Sequence, residues 1–535
     1  MRSEVDVLVI GGGHNGLIAA CYLAREKLDT LVVEALPTIG GMSRTEFPFA
    51  GAPRHAINPC ALDVIFLQPS KVIEDLRLAD VGFRMLEVDP FWAHLDAEEA
   101  SIALWRDRRR TAEEITRFSA RDATAYLDLC ETLDAILWAG LPFFACNPTR
   151  PSLRALTQGG RAALRARGQL GKAVDLVSTA PLHTIQERFE HPIVRDLMAE
   201  IVTIGGASVR SEAASLAFVM LAFPLNFGCG RPVGGTQTLV DSLVRRLQSL
   251  GGAVRADAGV DQILVRGNSA YGVRLANGGE IGARRAVVSS CDPRTTLQRL
   301  LPAGALADDM AGRVAGIPAN VNGRGDLKID VALSGQLRMT RHERWRGDAV
   351  DLRAPLCLMG TLEELDRSFA SVATGDTFEP IPFGGVVPTA IDPSQAPEGQ
   401  DTLYLWSGWV PAEPAEPADE YKARAEKSLM ALAATYYDGL ESLEIGRRTM
   451  TTEDIARHYS SSGSLVHVDF TPFRMGPLRP AWGFGGYRTP VKGLYLSGSG
   501  THPGGGLSGF PGRNAAATVL RDCRSRRRSR SGAGS

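Results

Sequence analysis

Apolar runs that end in glycine-rich turns stand at both ends of this chain. Residues 5–10 are mostly apolar and enter a glycine-rich turn at Gly11, and apolar residues then recur at helical spacing over 17–27. A second apolar run covers 30–33 and stops at Glu34. This pattern predicts a strand, a tight turn, a helix and a second strand.

The same order returns near the other end of the chain. An apolar run over 493–496 leads into the glycine-rich segment 497–509, and a second apolar stretch follows at 515–520. A glycine-rich turn between a strand and a helix brings backbone N–H groups and a helix N-terminus against an electron-rich ligand. The two ends therefore predict one cofactor that is held by both.

Periodicity also predicts the elements between these ends. Helical spacing covers 122–137, 193–204, 239–247 and 421–437. Strand patterns cover 251–255, 260–265, 286–290, 326–333 and 401–410, and Asn277-Gly278 predicts a hairpin turn. The segment 67–226 shows mainly helical periodicity, whereas 301–479 mixes both kinds.

The N-terminal turn has the spacing of a dinucleotide-binding fingerprint. Gly11 allows the tight turn, Gly13 lets the backbone approach a pyrophosphate, and Gly16 allows close packing of helix on strand. Glu34 ends the second strand, where an acid accepts hydrogen bonds from ribose hydroxyls and disfavours a 2′-phosphate. A strand on each side of the motif makes this prediction specific.

Composition narrows the choice of protein class. The 535 residues carry a net charge of −1, with 44% hydrophobic and 22% charged residues, which is typical of a globular protein of two or three domains and does not suggest a nucleic-acid partner. The eight cysteines are scattered without zinc spacing, so we expect reduced thiols and no metal site. The first strand begins near residue 5, and we therefore expect no signal or transit peptide and a cytoplasmic location.

The residues after Glu34 carry a resemblance to a known group. Gly40-Gly41, Ser43 and Arg44 follow the ribose acid as in the flavoprotein group of amine oxidases and carotenoid desaturases. The resemblance implies FAD as the cofactor. The block at Gly234-Gly235 and the strands after it are similar to the middle of bacterial phytoene desaturases, and this likeness implies that the Val260 backbone contacts the adenine.

More specifically, the chain resembles the family of pyridine nucleotide-disulphide oxidoreductase domain-containing proteins, which are relatives of the carotenoid desaturases. The matching blocks are 11–17, Gly234-Gly235, 487–490 and 493–514. Despite the family's name, the chain has no Cys-x-x-Cys pair. The cofactor-binding residues that fingerprint and resemblance together imply are Gly11, Gly13, His14, Asn15, Gly16, Glu34, Gly40, Gly41, Ser43, Arg44, Val260, Gly498, Ser499, Gly500, Gly506, Leu507 and Ser508.

The expected fold class is α/β: a Rossmann-type FAD-binding domain with an inserted α+β substrate domain. The FAD-binding domain would be discontinuous, over 1–66, 227–300 and 480–520. A helical insert at 67–226 and an α+β insert at 301–479 would form the substrate domain. The last fifteen residues, 521–535, hold six Arg and one Asp among Ser and Gly, which predicts a disordered basic tail.

The resemblance implies dehydrogenation of a carbon–carbon bond in a lipophilic substrate by hydride transfer to the flavin N5. No second dinucleotide fingerprint occurs, so the expected electron acceptor is external, oxygen or a quinone. A flavin-dependent double-bond isomerase and a non-catalytic, flavin-stabilised binding or regulatory protein remain alternatives. An amine oxidase is less favoured, because Gly498-Ser499-Gly500-Thr501 stands where amine oxidases place an acid after Ala-Gly.

Two histidines are weak candidates for acid–base chemistry. His55 lies just beyond the Gly40-Gly41 turn, and His502 lies within the C-terminal glycine-rich segment. A packing role for His55 and a turn-shaping role for His502 are equally compatible with the pattern. Desaturation needs no strong base, since loss of hydride leaves a cation that conjugation stabilises.

One basic segment bears on partners. Residues 150–172 contain Arg154, Arg161, Arg165 and Arg167 without an acid, interleaved with leucines. The pattern is typical of a helix on a membrane surface, and equally of a solvated helical face. Peripheral membrane contact therefore remains open.

Overall fold

The computed structural model of this chain describes residues 3–320, 322–459, 463–471 and 474–532. Its strands are β1 (Glu4–Ile10), β2 (Thr30–Val33), β3 (Met85–Val88), β4 (Trp92–Leu95), β5 (Ser101–Leu104), β6 (Cys229–Pro232), β7 (Ala253–Arg255), β8 (Val260–Arg266), β9 (Ser269–Leu275), β10 (Glu280–Ser289), β11 (Arg324–Leu333), β12 (Leu356–Met359), β13 (Phe383–Val386), β14 (Thr402–Pro411), β15 (Glu444–Thr451) and β16 (Leu494–Leu496). Its helices are α1 (His14–Arg25), α2 (Leu67–Ser70), α3 (Val72–Asp75), α4 (Arg108–Thr116), α5 (Ala120–Phe144), α6 (Leu153–Arg165), α7 (Leu170–Ser178), α8 (Pro181–Arg188), α9 (Pro192–Thr203), α10 (Val219–Phe227), α11 (Gln237–Ser249), α12 (Asp308–Ala315), α13 (Thr340–Arg346), α14 (Leu362–Val372), α15 (Ala418–Ala433), α16 (Leu440–Leu443), α17 (Thr452–Tyr459) and α18 (Phe510–Gly532).

The first sheet gathers strands from three distant parts of the chain. Its order is β7-β2-β1-β10-β9-β8, and β16 pairs with β10. β1 lies between β2 and β10 and runs parallel to both, with Val9 opposite Val32 and Val288. A central parallel strand is covered on both faces, which explains why residues 5–10 are so apolar.

Parallel pairing fixes where the turns after these strands lie. β1, β2, β10 and β16 all run in the same direction, so their carboxyl ends share one edge of the sheet. The turns beginning at Gly11, Glu34, Ser290 and Ser497 therefore meet at that edge.

Three helices cover one face of the first sheet. α1 packs against both α11 and α18, and the core between them includes Leu17, Leu243 and Val519, all fully buried. Gly512 of α18 lies so close to α1 that a Cβ atom there would stand 2.2 Å from the Asn15 carbonyl oxygen. Close packing of the first and last helices thus holds the two ends of the chain together.

The second sheet has the order β15-β11-β14-β13-β12-β4-β5. β4 and β5 belong to the segment 67–226, for which the sequence predicts mainly helix, and a third strand of that segment, β3, pairs with β6. The prediction of a helical insert is wrong for residues 85–104. These strands have four residues each, too few to establish an alternation, and β4 and β5 are buried on both faces.

Helices α4 to α10 form a layer with its own apolar core, built around Tyr126, Leu133, Leu197 and Phe218. The basic end of the chain differs from its prediction, because α18 continues to Gly532 without a break. Arginine favours helix, and the ion pairs Arg524–Glu26 and Arg488–Asp522 anchor α18 to the first sheet and to α1. The prediction of disorder from residue 521 is therefore wrong as far as Gly532, and residues 533–535 lie outside the described ones.

Within the described ranges, the structure contains no helix whose length and apolar character would let it cross a membrane.

Candidate functional site

A cavity of about 390 Å³ opens at the edge where the parallel strands end. One part of its wall consists of the glycine-rich turns from both ends of the chain, including Gly11, Gly13 and Gly506. Another part consists of apolar side chains from the segments between the motifs, including Trp92, Met220 and Leu356. The cavity therefore joins the first sheet to the elements packed above it.

The three glycines of the N-terminal fingerprint have different surroundings. A Cβ at Gly11, where φ is +94°, would lie 2.6 Å from Ser290 Oγ, and one at Gly16 would lie 2.2 Å from the Gly11 carbonyl oxygen. At Gly13 the nearest atom to such a Cβ is the Gly40 carbonyl oxygen, 4.0 Å away. Gly11 and Gly16 thus serve packing, whereas Gly13 leaves open space beside the backbone.

The N-terminus of α1 faces this space. Gly13 is its N-cap residue, and among the described residues no side chain caps the helix and no acid lies in its first turn. The first N–H groups of an α-helix have no partner within the helix. With the helix dipole, they make a favourable place for an anionic group such as a phosphate.

Glu34 places a carboxylate at the end of β2. Its Oε2 accepts a hydrogen bond from the Gly12 N–H at 2.7 Å, and its Oε1 accepts one from the Leu36 N–H at 3.0 Å. Each carboxylate oxygen has a second lone pair, so both can accept a further bond from a ligand hydroxyl. The side chain is held by the backbone on both sides and lines the cavity.

The second glycine pair brings polar groups beside the first turn. Gly40 and Gly41 have φ of 137° and 56°, which favour glycine. Ser43 Oγ lies 3.1 Å from His14 Nδ1, and His14 Nε2 is buried without a partner among the described residues. Burial, and next the nearby His467, lower the pKa of His14 to about 4, so its ring is neutral at pH 7 and can bond to a ligand.

The C-terminal turn is fixed to the first one by hydrogen bonds. Asn15 Nδ2 donates to Ser499 Oγ at 3.3 Å, and the Gly512 N–H donates to Asn15 Oδ1 at 3.3 Å. A Cβ at Gly498 would lie 2.4 Å from the Ser290 carbonyl oxygen, and one at Gly500 would lie 2.6 Å from the Pro293 ring. These contacts place Ser499 at the cavity wall.

Most of the residues predicted to hold the cofactor line this cavity. They are Gly11, Gly13, His14, Asn15, Glu34, Gly40, Gly41, Ser43, Val260, Ser499, Gly506 and Leu507. The others support the wall from behind. They are Gly16, Gly498 and Gly500, which pack as described above; Arg44, which pairs with Glu46 at 3.4 Å; and Ser508, whose buried Oγ has no partner among the described residues.

Neither histidine proposed for acid–base chemistry is part of the cavity wall. His55 Nε2 lies 3.1 Å from the Leu333 carbonyl oxygen, and His502 Nε2 lies 3.0 Å from the Phe143 carbonyl oxygen. A carbonyl oxygen only accepts, so each Nε2 carries the proton and donates it. Both rings are buried in packing positions, and we assign them no catalytic role.

Several wall residues were missed from the sequence. Ser290, Cys291 and Asp292 follow β10, and the parallel pairing of β10 with β1 would have placed them at the same edge as Gly11. Arg299 and His467 also line the cavity. They lie in irregular segments, and neither carries a motif that sequence reasoning could have used.

The apolar part of the wall holds few groups that could exchange protons. Its side chains include Ile65, Phe66, Trp92, Ile204, Met220 and Leu356. Beside them, the Asp63 carboxylate pairs at 2.6 Å with the buried guanidinium of Arg231. Burial raises the pKa of Cys60 to about 12, which keeps it as an unreactive thiol.

Comparison with known proteins agrees with this architecture. The family model of NAD(P)-binding Rossmann-like domains matches residues 9–61. Pyridine nucleotide-disulfide oxidoreductase domain-containing protein 2 of Mus musculus is 27% identical, over 98% of this chain and 94% of its own. A limonene dehydrogenase chain of Castellaniella defragrans is 26% identical (97% and 95%), and the lycopene-forming phytoene desaturase of Pseudescherichia vulneris is also 26% identical (94% and 96%).

Solved structures share the fold at lower identity. An oxidoreductase from Methanosarcina mazei has a TM-score of 0.60 at 14% identity, over 96% of this chain and 99% of its own. Cyclohexylamine oxidase from Brevibacterium oxydans has a TM-score of 0.57 at 17% identity, over 97% and 99%. The predicted α/β fold class, a Rossmann-type domain with an inserted α+β part, is confirmed.

The relatives similar in sequence include a dehydrogenase and desaturases, so the non-catalytic alternative is not retained. Their likeness extends over almost the whole chain and includes both glycine-rich turns that line the cavity. The chain belongs to the phytoene and carotenoid desaturase-like group of flavin-type oxidoreductases.

Proposed function

We propose that this chain binds FAD and dehydrogenates a carbon–carbon bond of a lipophilic substrate. The observation that carries the proposal is one cavity whose wall combines the glycine-rich turns with apolar side chains from both inserts. Relatives named as phytoene desaturase, zeta-carotene desaturase and limonene dehydrogenase support the substrate class.

The residues present fit FAD. Open space at Gly13 and the uncapped N-terminus of α1 suit a pyrophosphate, and Glu34 has lone pairs left for ribose hydroxyls. Val260 lies in the same wall, where its backbone can face the adenine. His14 Nε2 and Ser508 Oγ are buried polar atoms that lack partners among the described residues, as expected where a bound group would complete the bonding.

Bound FAD would supply hydride acceptance at its N5, and the chain supplies binding, orientation and exclusion of water. Trp92, Ile204, Met220 and Leu356 offer an apolar substrate a surface without free charge. Asp63 is neutralised by Arg231, and Cys60 stays protonated. Such a wall favours loss of hydride from a conjugated hydrocarbon over chemistry that needs a strong base. Oxygen or a quinone would then accept the electrons.

The test is an anaerobic titration of the flavin-loaded protein with a fractionated lipid extract of its host. We expect loss of the oxidised-flavin absorbance and a product lighter by two hydrogen atoms. Ile204→Glu places a charge in the apolar wall and should reduce the rate of bleaching at least about tenfold. Ile445→Glu, at a half-exposed position outside the cavity wall, is the matched control and should react like the wild type.

Other outcomes point elsewhere. A product of unchanged mass that forms only on reduced flavin would identify an isomerase. Bleaching by putrescine or cyclohexylamine, but by no lipid fraction, would identify an amine oxidase. Equal rates for Ile204→Glu and Ile445→Glu would remove the apolar wall from the substrate site.

A further inference from the structure

Helix α6 exposes a row of leucines that nothing in the structure covers. Leu153 is 81% exposed, Leu156 47% and Leu164 72%, and their spacing puts them on one face of the helix. The opposite face consists of small residues and packs on α5, where a Cβ at Gly159 would lie 2.6 Å from the Phe143 ring. Scattered exposed leucines are ordinary, whereas a row at helical spacing marks an interaction surface.

A row of arginines runs beside the leucines. Arg154, Arg161 and Arg165 recur at helical spacing on the neighbouring face, and all three are exposed. In the part of the chain that the structure describes, no carboxylate lies within ion-pairing distance of these three guanidinium groups. Lys172, by contrast, pairs with Asp128. The arginines are therefore available to an anionic partner.

The surface continues past the end of α6. Arg167 follows without an ion pair among the described residues, and Leu170 and Val174 at the start of α7 are 46% and 62% exposed. We name the exposed leucines, Val174 and arginines of 153–174 the α6 surface. Adjacent apolar and cationic rows, with no acid between them, match the boundary between the headgroups and acyl chains of an anionic bilayer.

The α6 surface is also connected to the cavity. Phe66 of the cavity wall contacts Phe223 at 4.7 Å between ring centroids, and Phe223 contacts Phe227 at 6.3 Å. Phe227 in turn contacts Trp138 at 5.6 Å. Trp138 is 45% exposed and belongs to α5, the helix on which α6 packs. Aromatic rings thus extend from the cavity towards the side of the protein that carries α6.

We propose that the α6 surface binds anionic phospholipid bilayers, with the leucines of α6 entering the interface and the arginines of α6 contacting lipid phosphates. Its binding to bilayers does not depend on the proposed function. Only its use as an entry for apolar substrate, along the aromatic row, rests on that function.

The test is cosedimentation of the full-length, flavin-loaded protein with vesicles. Vesicles of phosphatidylcholine with about 30% phosphatidylglycerol should bind the protein at about 0.1 M salt, and binding should weaken at about 0.5 M salt. Vesicles of phosphatidylcholine alone should bind it at least about tenfold more weakly.

Two triple variants separate the two rows. Leu153→Gln with Leu156→Gln and Leu164→Gln should weaken binding at least about tenfold. Arg154→Gln with Arg161→Gln and Arg165→Gln should weaken it as much and remove most of the salt dependence. The matched control, Arg210→Gln with Arg338→Gln and Arg457→Gln, changes the net charge equally at exposed positions of other elements and should bind like the wild type.

Thermal melting and retained flavin absorbance verify that each variant is folded. Failure of the wild type to sediment with anionic vesicles would overturn the proposal. So would equal loss of binding in the control variant, which would indicate an effect of net charge alone. A wild-type dimer that the leucine variant converts to a monomer, without vesicle binding, would instead assign the α6 surface to a second copy of the chain.

Discussion

Gly13 and Glu34 are the single residues on which cofactor binding depends most directly. At Gly13 a larger side chain would enter the cavity beside the N-terminus of α1, and at Glu34 an arginine would replace two acceptor oxygens with donors. We expect Gly13→Val and Glu34→Arg to be purified without FAD. Flavin absorbance per protein measures this, and full flavin content in both variants would contradict the assignment.

A matched control for Gly13→Val is Gly140→Ala. Gly140 lies within α5, and a Cβ there would meet no atom within 4 Å. This variant should keep its full flavin content, because alanine also favours helix.

His502 makes a contribution to stability that depends on pH. Burial, followed by a smaller effect of Arg479, lowers the pKa of its ring from 6.5 to about 4, while the hydrogen bond to the Phe143 carbonyl opposes this shift. Between pH 6.5 and 4 the unfolded chain therefore binds a proton that the folded chain does not. Stability is fully present above pH 6.5 and falls as the pH falls towards 4.

We expect His502→Gln to lose less stability than the wild type on acidification. Glutamine keeps an N–H donor for the Phe143 carbonyl but does not titrate. The difference in free energy of unfolding between pH 6.5 and 5 should be smaller by on the order of 2 kcal/mol in the variant. Denaturant midpoints at both pH values measure it, and parallel changes in the two proteins would refute the assigned pKa.

Single residues were predictable where the backbone leaves one choice. Gly11 and Gly16 face atoms that a Cβ would strike, and spacing alone identified both. Arg299 and His467 reach the same cavity from irregular segments, and only the tertiary fold brings them there. His55 and His502 show the opposite error, since nearness in sequence to a motif placed them in the site, whereas each ring bonds to a backbone carbonyl elsewhere.

Two loops beside the cavity are joined through the fully buried side chain of Arg479. Its guanidinium donates to carbonyl oxygens of the loop that carries His467, including Val468 at 2.7 Å. It also donates to Ser499 and Thr501 of the C-terminal glycine-rich turn, at 3.2 and 3.3 Å. A single side chain thus fixes the position of one irregular element relative to another.

We expect Arg479→Met to destabilise this junction, because several buried carbonyl oxygens would lose their donor. The cost should be on the order of 3 kcal/mol in free energy of unfolding, with faster release of FAD. Arg488→Met, which removes a half-buried pair with Asp522, should cost about 1 kcal/mol or less. Denaturant midpoints and flavin release rates for both variants test this, and equal costs would contradict the special role of Arg479.

Elements followed from the sequence when they were long and periodic. The predicted strands at 326–333 and 401–410 lie at Arg324–Leu333 and Thr402–Pro411, and the predicted helix at 122–137 lies within α5. β4 and β5 escaped detection because four buried residues cannot show a period. Their partner β12 lies more than two hundred residues later, and such pairing leaves no local signal.

On the scale of the whole molecule, the cavity wall draws on both sheets. Glu34 and Val260 belong to the first sheet or its turns, whereas Trp92 and Leu356 belong to the second. A ligand that fills the cavity stabilises only the arrangement in which both parts are folded. Binding should therefore couple the unfolding of the two parts.

We expect added FAD to raise the melting temperature of the cofactor-depleted protein and to sharpen its unfolding into one transition. FAD at about 100 times its Kd contributes about 2.7 kcal/mol. Scanning calorimetry with and without FAD measures both effects, and Gly13→Val, which should not bind FAD, is the control. Two separate transitions that persist with bound FAD would show that the parts unfold independently.

The bonds from Asn15 to Ser499 and from Gly512 to Asn15 have a consequence for biosynthesis. A ribosome makes the first fingerprint long before the residues that complete its cavity, at about 5–20 residues per second. During this interval β1 lacks β10, its partner on one side, and the nascent chain has no finished pocket to offer. Cofactor capture therefore belongs after release from the ribosome, and nascent chains stalled before Leu494 should emerge without flavin.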